Sequence, residues 1–444
     1  MKYIYINRIK QISTLLIFSY LLAVPPEFEI VINNNPHPSK MFFSTSSMDI
    51  TDTTHYFMTI LDESLNNYWQ INSYQNGRDF KKNYNKLSYY HYNKPYGFDP
   101  NENYWIIADQ SLQEIDTLKY SFENGILDWH DMTIIDDNHY LFFGYNTYYL
   151  DLSPIGGDSS HETGKVLRIV EIDENENIVF NWSALSHMNI YEYTDIPFTN
   201  NRFLWMHINS IDIDYDGNLL ISNRRSSEII KINKSTGDVM WIFSGPRNQF
   251  LIEGDPFHGV SDQHDVRRLE NGNILIFDNG NNHDPTQLRV VEYSLDEVNK
   301  TAQLVWKFSN PYNHRAIATG SAQRLPNNNT LINWGTLENQ AGADLGANIM
   351  EVTQHNEIVL ELNFPNNRIY KVRKDNWEFD ISLLKGDLSL DNQLNVLDVV
   401  SLVNIILSHN SSLSFPMFQL QKVDLNLDSN INVIDIISLI DLIL

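Results

Sequence analysis

The chain has 444 residues, 42% of them hydrophobic and 12% aromatic, and a formal net charge of −25. That length exceeds one small core and suits a large domain with an appendage, while the acidity and the lack of any basic stripe argue against a nucleic-acid partner. With no cysteine, disulfides, thiolate catalysis and zinc–thiolate sites are excluded.

At the N-terminus, Lys2, Arg8 and Lys10 precede an apolar run from Ile12 to Val24. The run is too short for a comfortable membrane span and reads as a signal peptide over residues 1–25, with an uncleaved anchor as the competing reading. An exported protein is expected, periplasmic, cell-surface or secreted. Any membrane attachment would come through that segment.

From residue 38 to 374 the pattern is strand, turn, strand, with almost no amphipathic helix. Lys40 to Phe43, His55 to Leu61 and Tyr104 to Ile107 read as early strands. A recurring phrase follows: a polar inner strand, an Asn/Gly turn, an apolar strand, then outer strands ending in tryptophan, as at Trp182, Trp241 and Trp306. Four segments open such units: Trp129-His130-Asp131, His207-Ile208-Asn209, Gln263-His264-Asp265 and Ser321-Ala322-Gln323. The pattern predicts an all-β fold, a β-propeller of about six four-stranded blades with polar, protonatable residues around its central channel. The tryptophans are expected as core between blades, and Gln323 stands where the other units carry histidine. A β-sandwich would not explain residues recurring in phase.

The texture changes near Ile381. Asp387, Ser389, Asp391, Gln393, Asn395 and Asp398 alternate along one loop, and Asp424, Asn426, Asp428, Asn430, Asn432 and Asp435 repeat the arrangement. Each loop leads into an apolar segment with helical spacing. Oxygen-bearing side chains so spaced wrap a hard cation. This duplicated loop–helix over 381–444 resembles a type I dockerin, an α-helical module of paired EF-hand-type loops. The resemblance implies Ca2+ as the bound ion and a cohesin-like protein as partner. Asn392 and Ser429 stand where such loops usually carry glycine.

His207-x-Asn209 followed by Ser222-Asn-Arg224-Arg225, and Gln263-His264-Asp265 followed by Asp278-Asn-Gly-Asn281, resemble the bacterial arylsulfate sulfotransferases, a six-bladed propeller family. Trp129-His130-Asp131 precedes them in the same order. The resemblance implies ping-pong transfer of a sulfuryl group from a phenolic sulfate donor to a phenol acceptor, without a nucleotide sulfate. It places the nucleophile on His264, further catalytic roles on His207, His130 and Arg224, and sulfate-oxygen contacts on His207, Asn209 and Arg224.

Elementary chemistry agrees with those roles. Neutral imidazole is a competent nucleophile near pH 7, and sulfuryl transfer needs cationic and donor groups around three oxygens. Arg224 is preferred to Arg225 because strand alternation sets it in phase with Ser222 and Leu220. A second histidine, His207 or His130, would exchange protons with the phenols. Despite the overall acidity, such a His/Arg cluster makes a channel locally positive. Asp265 is expected to fix a turn or orient a ring. A non-catalytic scaffold would form no sulfohistidine, and a sulfate-ester hydrolase would release sulfate without a phenol acceptor.

Overall fold

The computed structural model describes residues 26–47, 56–73, 77–92, 103–110, 114–163, 165–199, 202–378, 386–388, 393–408, 423–426 and 431–444. The expected signal segment 1–25, the boundary at 381, and Ser389, Asp391, Asp428 and Asn430 lie outside these residues. The described strands form an all-β propeller.

Six sheets of four or more strands and one two-stranded ribbon are present. Sheet I has Asn367–Asp375 innermost, then Lys40–Ser47, Phe57–Leu61 and Asn67–Asn72; sheet II runs Arg78–Asn83, Lys86–His91, Tyr104–Ala108 and Glu114–Leu118. Sheet III is Gly125–Ile134, Tyr140–Asn146, Val166–Ile172 and Ile178–Ser183; sheet IV is Ile208–Ile213, Leu219–Asn223, Glu228–Ile232 and Val239–Phe243. Sheet V runs His264–Arg268, Ile274–Asp278, Arg289–Asp296 and Thr301–Ser309, with Leu251–Glu253 on its edge. Sheet VI runs Ser321–Arg324, Thr330–Asn333, Asp344–Val352 and Ile358–Phe364, with Glu29–Asn33 as its outer edge.

The inner strands touch in sequence around a ring, and sheet VI meets the inner strand of sheet I. That last strand, Asn367–Asp375, is the device that closes the ring. It pairs antiparallel with Lys40–Ser47, from Lys40 opposite Asp375 to Ser47 opposite Asn367. The two ends of the propeller are thus held by backbone hydrogen bonds, which removes two open edges.

The local chemistry accounts for the strands. Middle strands such as Leu219–Asn223 and Glu228–Ile232 are buried throughout, and β-branched and leucine side chains on both faces fill the space between neighbouring sheets. Hairpins are set by Asx turns: Asp173 Oδ1 accepts the N–H groups of Asn175 and Asn177, at 2.9 and 2.8 Å. The tryptophans bridge sheets as expected. Trp182 Nε1 donates to Gly237 O (2.7 Å), Trp241 Nε1 to Glu297 Oε2 (2.9 Å) and Trp306 Nε1 to Gln354 O (3.2 Å).

Among its described residues the tail holds the helices Val396–Ser408 and Val433–Ile443, packed through Leu402, Val423 and Leu439. Its two halves repeat each other bond for bond. Asp398 accepts from Leu388 N and Asn395 N, Asp435 accepts from Leu425 N and Asn432 N, and all four distances are 2.8 Å. The helices do not by themselves make the unit a dockerin. Among the described residues no group of three or more His, Asp or Glu side chains is gathered for a metal, and Asp398 and Asp435 turn their oxygens to backbone N–H groups. Asp387, Gln393, Asn395, Asp424, Asn426 and Asn432 are the other expected ligands that are described.

Candidate active site

Hydrogen bonds between inner strands fix which residues stand at one level of the channel. The residue just past the channel position accepts the N–H of the next inner strand: Asp131 from Ile211 (3.3 Å), Ser210 from Val266 (3.0 Å), Asp265 from Ala322 (3.0 Å) and Ser321 from Val372 (3.0 Å). His130, Asn209, His264, Gly320 and Tyr370 therefore occupy equivalent positions in sheets III, IV, V, VI and I. In sheet II the place belongs to Arg78. Its strand carries the same bulge as that of His264, one extra residue between Arg78 and Lys81 and between His264 and Arg267. Asp79 and Asp265 take φ of 53° and 51° inside these bulges.

Two expectations of phase are corrected by this register. Gln323 does not stand in the histidine's place; Gly320 does, three residues earlier. Gln323 instead exchanges two 2.8 Å bonds with the backbone of Lys374. His207 lies two residues ahead of the level, before its strand begins, and the equivalent residue is Asn209. The polar motif repeats by residue type, whereas the level is set by where each strand starts to pair.

His264 is 3% exposed. Its Nδ1 lies 2.7 Å from Asn279 Oδ1, and the Asn279 amide group donates to the carbonyls of Ala316 and Thr319. An amide oxygen only accepts, so Nδ1 carries the proton and Nε2 the lone pair. Thr319 N–H points at that lone pair from 3.2 Å. Burial first, and the Arg224 charge next, lower the imidazole pKa to about 3.

His130 stacks on Trp129 at 3.8 Å between ring centroids and meets His207 edge-on at 4.8 Å. Its Nδ1 lies 2.6 Å from Asp128 Oδ1, which also accepts the His130 N–H. Burial lowers the pKa of His130, and Asp128 works against that shift. His207 has no such carboxylate. Its pKa falls well below the ordinary value through burial, then through His130, Lys165, His264 and Arg224. Burial is thus the main cause of all three shifts, and neighbouring cations add to it at His207 and His264.

Arg224 does not continue the strand, so the alternation argument does not reach it. It opens a 3-10 turn, Arg224–Ser226, directly after Asn223. Its N–H donates to His207 O (2.9 Å) and its Nη2 to Ile317 O (2.7 Å). The neighbouring Arg225 shows no contact with the histidines. Asn209 Nδ2 donates to Gln263 O at 2.7 Å, while its Oδ1 is buried without a partner. Gln263 ties sheet V to Ser222, Asn223 and Glu228.

Beneath this level is a layer of paired charges. Lys371 Nζ donates to His130 O (2.8 Å) and lies 3.2 Å from Asp131, while Lys81 meets Asp79 and Asp131 at 2.6 and 2.5 Å. Asp265 binds Arg373 and Arg267, at 2.6 and 2.8 Å, which makes it a structural node rather than an orienter of His264. A cavity of about 300 Å³ opens beside the histidines, lined by Tyr56, Arg78, Trp129, Ile317, Thr319 and Tyr370 among others. A larger one of about 630 Å³, bordered by Arg268, Glu292 and Arg324, holds none of the histidines.

The structure brings His130, His207, His264 and Arg224, all singled out in the sequence, near one another. Sequence reasoning missed Asp128, Asn279 as the partner of His264, Thr319, Arg78 and Tyr370. Asn279 was visible within the Asp-Asn-Gly-Asn turn, and Asp128 two residues before His130.

The family model described as Arylsulfotransferase (ASST) matches residues 32–372. The chain belongs to this arylsulfotransferase family. No curated protein matches it. Among solved structures it is similar to a Bacteroides caccae protein of unknown function, with 11% identity over 76% of this chain and 98% of that one and a TM-score of 0.43. It is also similar to the Cps50 (Swd1) β-propeller domain of Myceliophteria thermophila, with 10% identity, 77% and 90% coverage and a TM-score of 0.42. A periplasmic gluconolactonase of Pseudomonas aeruginosa gives 8% identity, 76% and 99% coverage, and the same TM-score of 0.42.

Proposed function

We propose that this arylsulfotransferase moves a sulfuryl group from a phenolic sulfate to a phenol through a sulfohistidine on His264. One observation carries the reading: the His264 Nδ1–H is committed to a neutral amide oxygen, which leaves Nε2 as a lone pair in a cationic channel. Nε2 attacks sulfur, the sulfur–oxygen bond breaks, and the electron pair leaves with the phenolate. Because Asn279 cannot take the Nδ1 proton, the ring becomes a sulfoimidazolium, a good leaving group for the second half. Arg224 and the Asn209 amide supply donors for sulfuryl oxygens, and Thr319 N–H is released from Nε2 to do the same.

His130 is the proton carrier in this scheme. Burial lowers the pKa of both rings, but at His130 Asp128 opposes that shift, whereas at His207 the charges of His130, Lys165, His264 and Arg224 add to it. The His130 imidazolium protonates the departing phenolate; the neutral ring then takes the acceptor phenol's proton as its oxygen attacks sulfur and the Nε2–sulfur bond breaks. His207 remains neutral and donates a hydrogen bond. We further propose that the protein is exported, and that its tail is ordered by Ca2+ and captured by a cohesin-like partner. The repeated bonding of the two tail loops supports a duplicated module.

The test is intact mass after brief exposure to an aryl sulfate without acceptor, kept away from acid. The expected result is an added sulfuryl group that is absent in His264→Ala. No adduct and no phenol release from folded protein would overturn the reading in favour of a binding module. Sulfate release without acceptor would favour a hydrolase.

A further inference from the structure

We propose that Arg78 anchors a carboxylate on the ring of the aromatic substrate, so that carboxylated phenols and their sulfates are preferred. The position of that substrate rests on the sulfuryl-transfer reading above.

Arg78 occupies in sheet II the place that His264 occupies in sheet V. Its guanidinium lies over the Trp129 ring at 4.4 Å and the Tyr92 ring at 5.1 Å. Among the described residues no carboxylate pairs with it. Other cations of the inner strands are paired: Lys81, Lys371, Arg267 and Arg373 with Asp79, Asp131 or Asp265, and Arg368, which lines the same cavity, with Asp344. A half-buried cation without a counter-ion still carries a desolvation cost, and burial lowers this arginine's pKa. Its charge is balanced when an anion arrives.

Geometry says which part of a substrate reaches it. The Trp129 indole stands between Arg78 and His130, so a sulfuryl group held by the histidines is out of its reach. The lining of the cavity of about 300 Å³ includes both Arg78 and Thr319, whose N–H donates to His264 Nε2. The inner strands of sheets II and V, which carry Arg78 and His264, stand opposite each other in the ring. That volume is the lower end of ligand pockets and suits one aromatic ring, flanked by Trp129, Tyr56, Tyr370 and Ile317. A ring bound with its reacting oxygen at His264 turns its far edge toward Arg78, whose fork matches a carboxylate.

Calorimetry with two unreactive ligands tests this, 4-sulfobenzoate against benzenesulfonate, each titrated into the full chain and its Arg78→Met and Arg78→Lys variants. The parent should bind the carboxylated ligand about 10- to 100-fold more tightly. Arg78→Met should lose that preference, and Arg78→Lys should keep part of it through charge without the fork. Should Arg78→Met fail to fold, Arg78→Lys carries the test through its reduced preference. No preference in the parent, an unchanged preference in Arg78→Lys, or equal weakening of both ligands in Arg78→Met would overturn the proposal. Turnover of 4-nitrophenyl sulfate, run in parallel, separates the two claims. Preference without turnover sinks the transfer reading alone, and turnover without preference sinks the role of Arg78 alone.

Discussion

The two halves of the channel use one backbone device for different ends. In sheets III to V the level carries His130, Asn209 and His264, two imidazoles held by Asp128 and Asn279 and an amide that donates to Gln263 O. In sheets VI, I and II it carries Gly320, Tyr370 and Arg78: a glycine packed against the Phe277 ring, a phenol and a cation with no carboxylate partner among the described residues, the last two lining the cavity. The strands present both sets alike, so the difference lies in the side chains. In the proposed reaction one half exchanges bonds and protons and the other holds the aromatic body of the substrate. A propeller permits this division because each inner strand supplies one residue independently of its neighbours.

Substitutions that fall on one half only should sharpen this contrast. The largest effect is expected from His264→Ala, which removes the proposed nucleophile and should lower turnover by about 10³-fold or more, read as phenol release from an aryl sulfate. Arg224→Met should cost about 10²- to 10³-fold in kcat, as loss of an oxyanion donor does. Asp128→Asn should lower kcat by about 10- to 100-fold with little change in KM. It should also move the pH profile to lower pH, since His130 loses the carboxylate that favours its protonated form. A shift in KM alone would place Asp128 among binding residues instead.

The charged layer below gives a different readout. Lys371→Met leaves Asp131 short of a cation and should destabilise the fold by about 3 kcal/mol or more, seen in urea unfolding. The smallest effect concerns pH. Buried His264 has its pKa depressed from 6.5 to about 3, so the unfolded chain binds its proton first. Stability present above pH 6.5 is then lost as pH falls toward 3. In His264→Gln the decline in melting temperature between pH 6 and 4 should be shallower than in the parent. An identical slope would show that His264 is protonated in the folded protein.

The histidine half was far more legible in the sequence than the other. Its inner strands begin units whose Asn/Gly turns and tryptophan-ended outer strands repeat, so His130, His207 and His264 announced themselves. Sheets I and II gave no such signal. Arg78–Asn83 reads RDFKKN, a charged segment that becomes a strand because Lys81 and Asp79 neutralise each other inside the channel wall. Tyr370 belongs to a strand whose partner lies more than three hundred residues earlier, at Lys40–Ser47. Pairing at that separation leaves no local periodicity to read. The slip at Gln323 has a related cause: residue type repeats along the chain, but level depends on where pairing starts. In the tail the duplication was legible, and the backbone bonds of Asp398 and Asp435 were not.

Ring closure by Asn367–Asp375 also sets when the site comes into being. Tyr370 and Lys371 are among the last propeller residues to be synthesised, yet Lys371 braces His130 and Tyr370 OH reaches Asn209 O at 3.2 Å. An emerging chain can lay down every histidine and still lack the wall that holds them. Because that final strand must find a partner at the opposite end of the domain, docking it is a slow, long-range event. The channel wall around the histidines is therefore incomplete until synthesis of the whole ring is finished, and the proposed reactivity would be withheld until then.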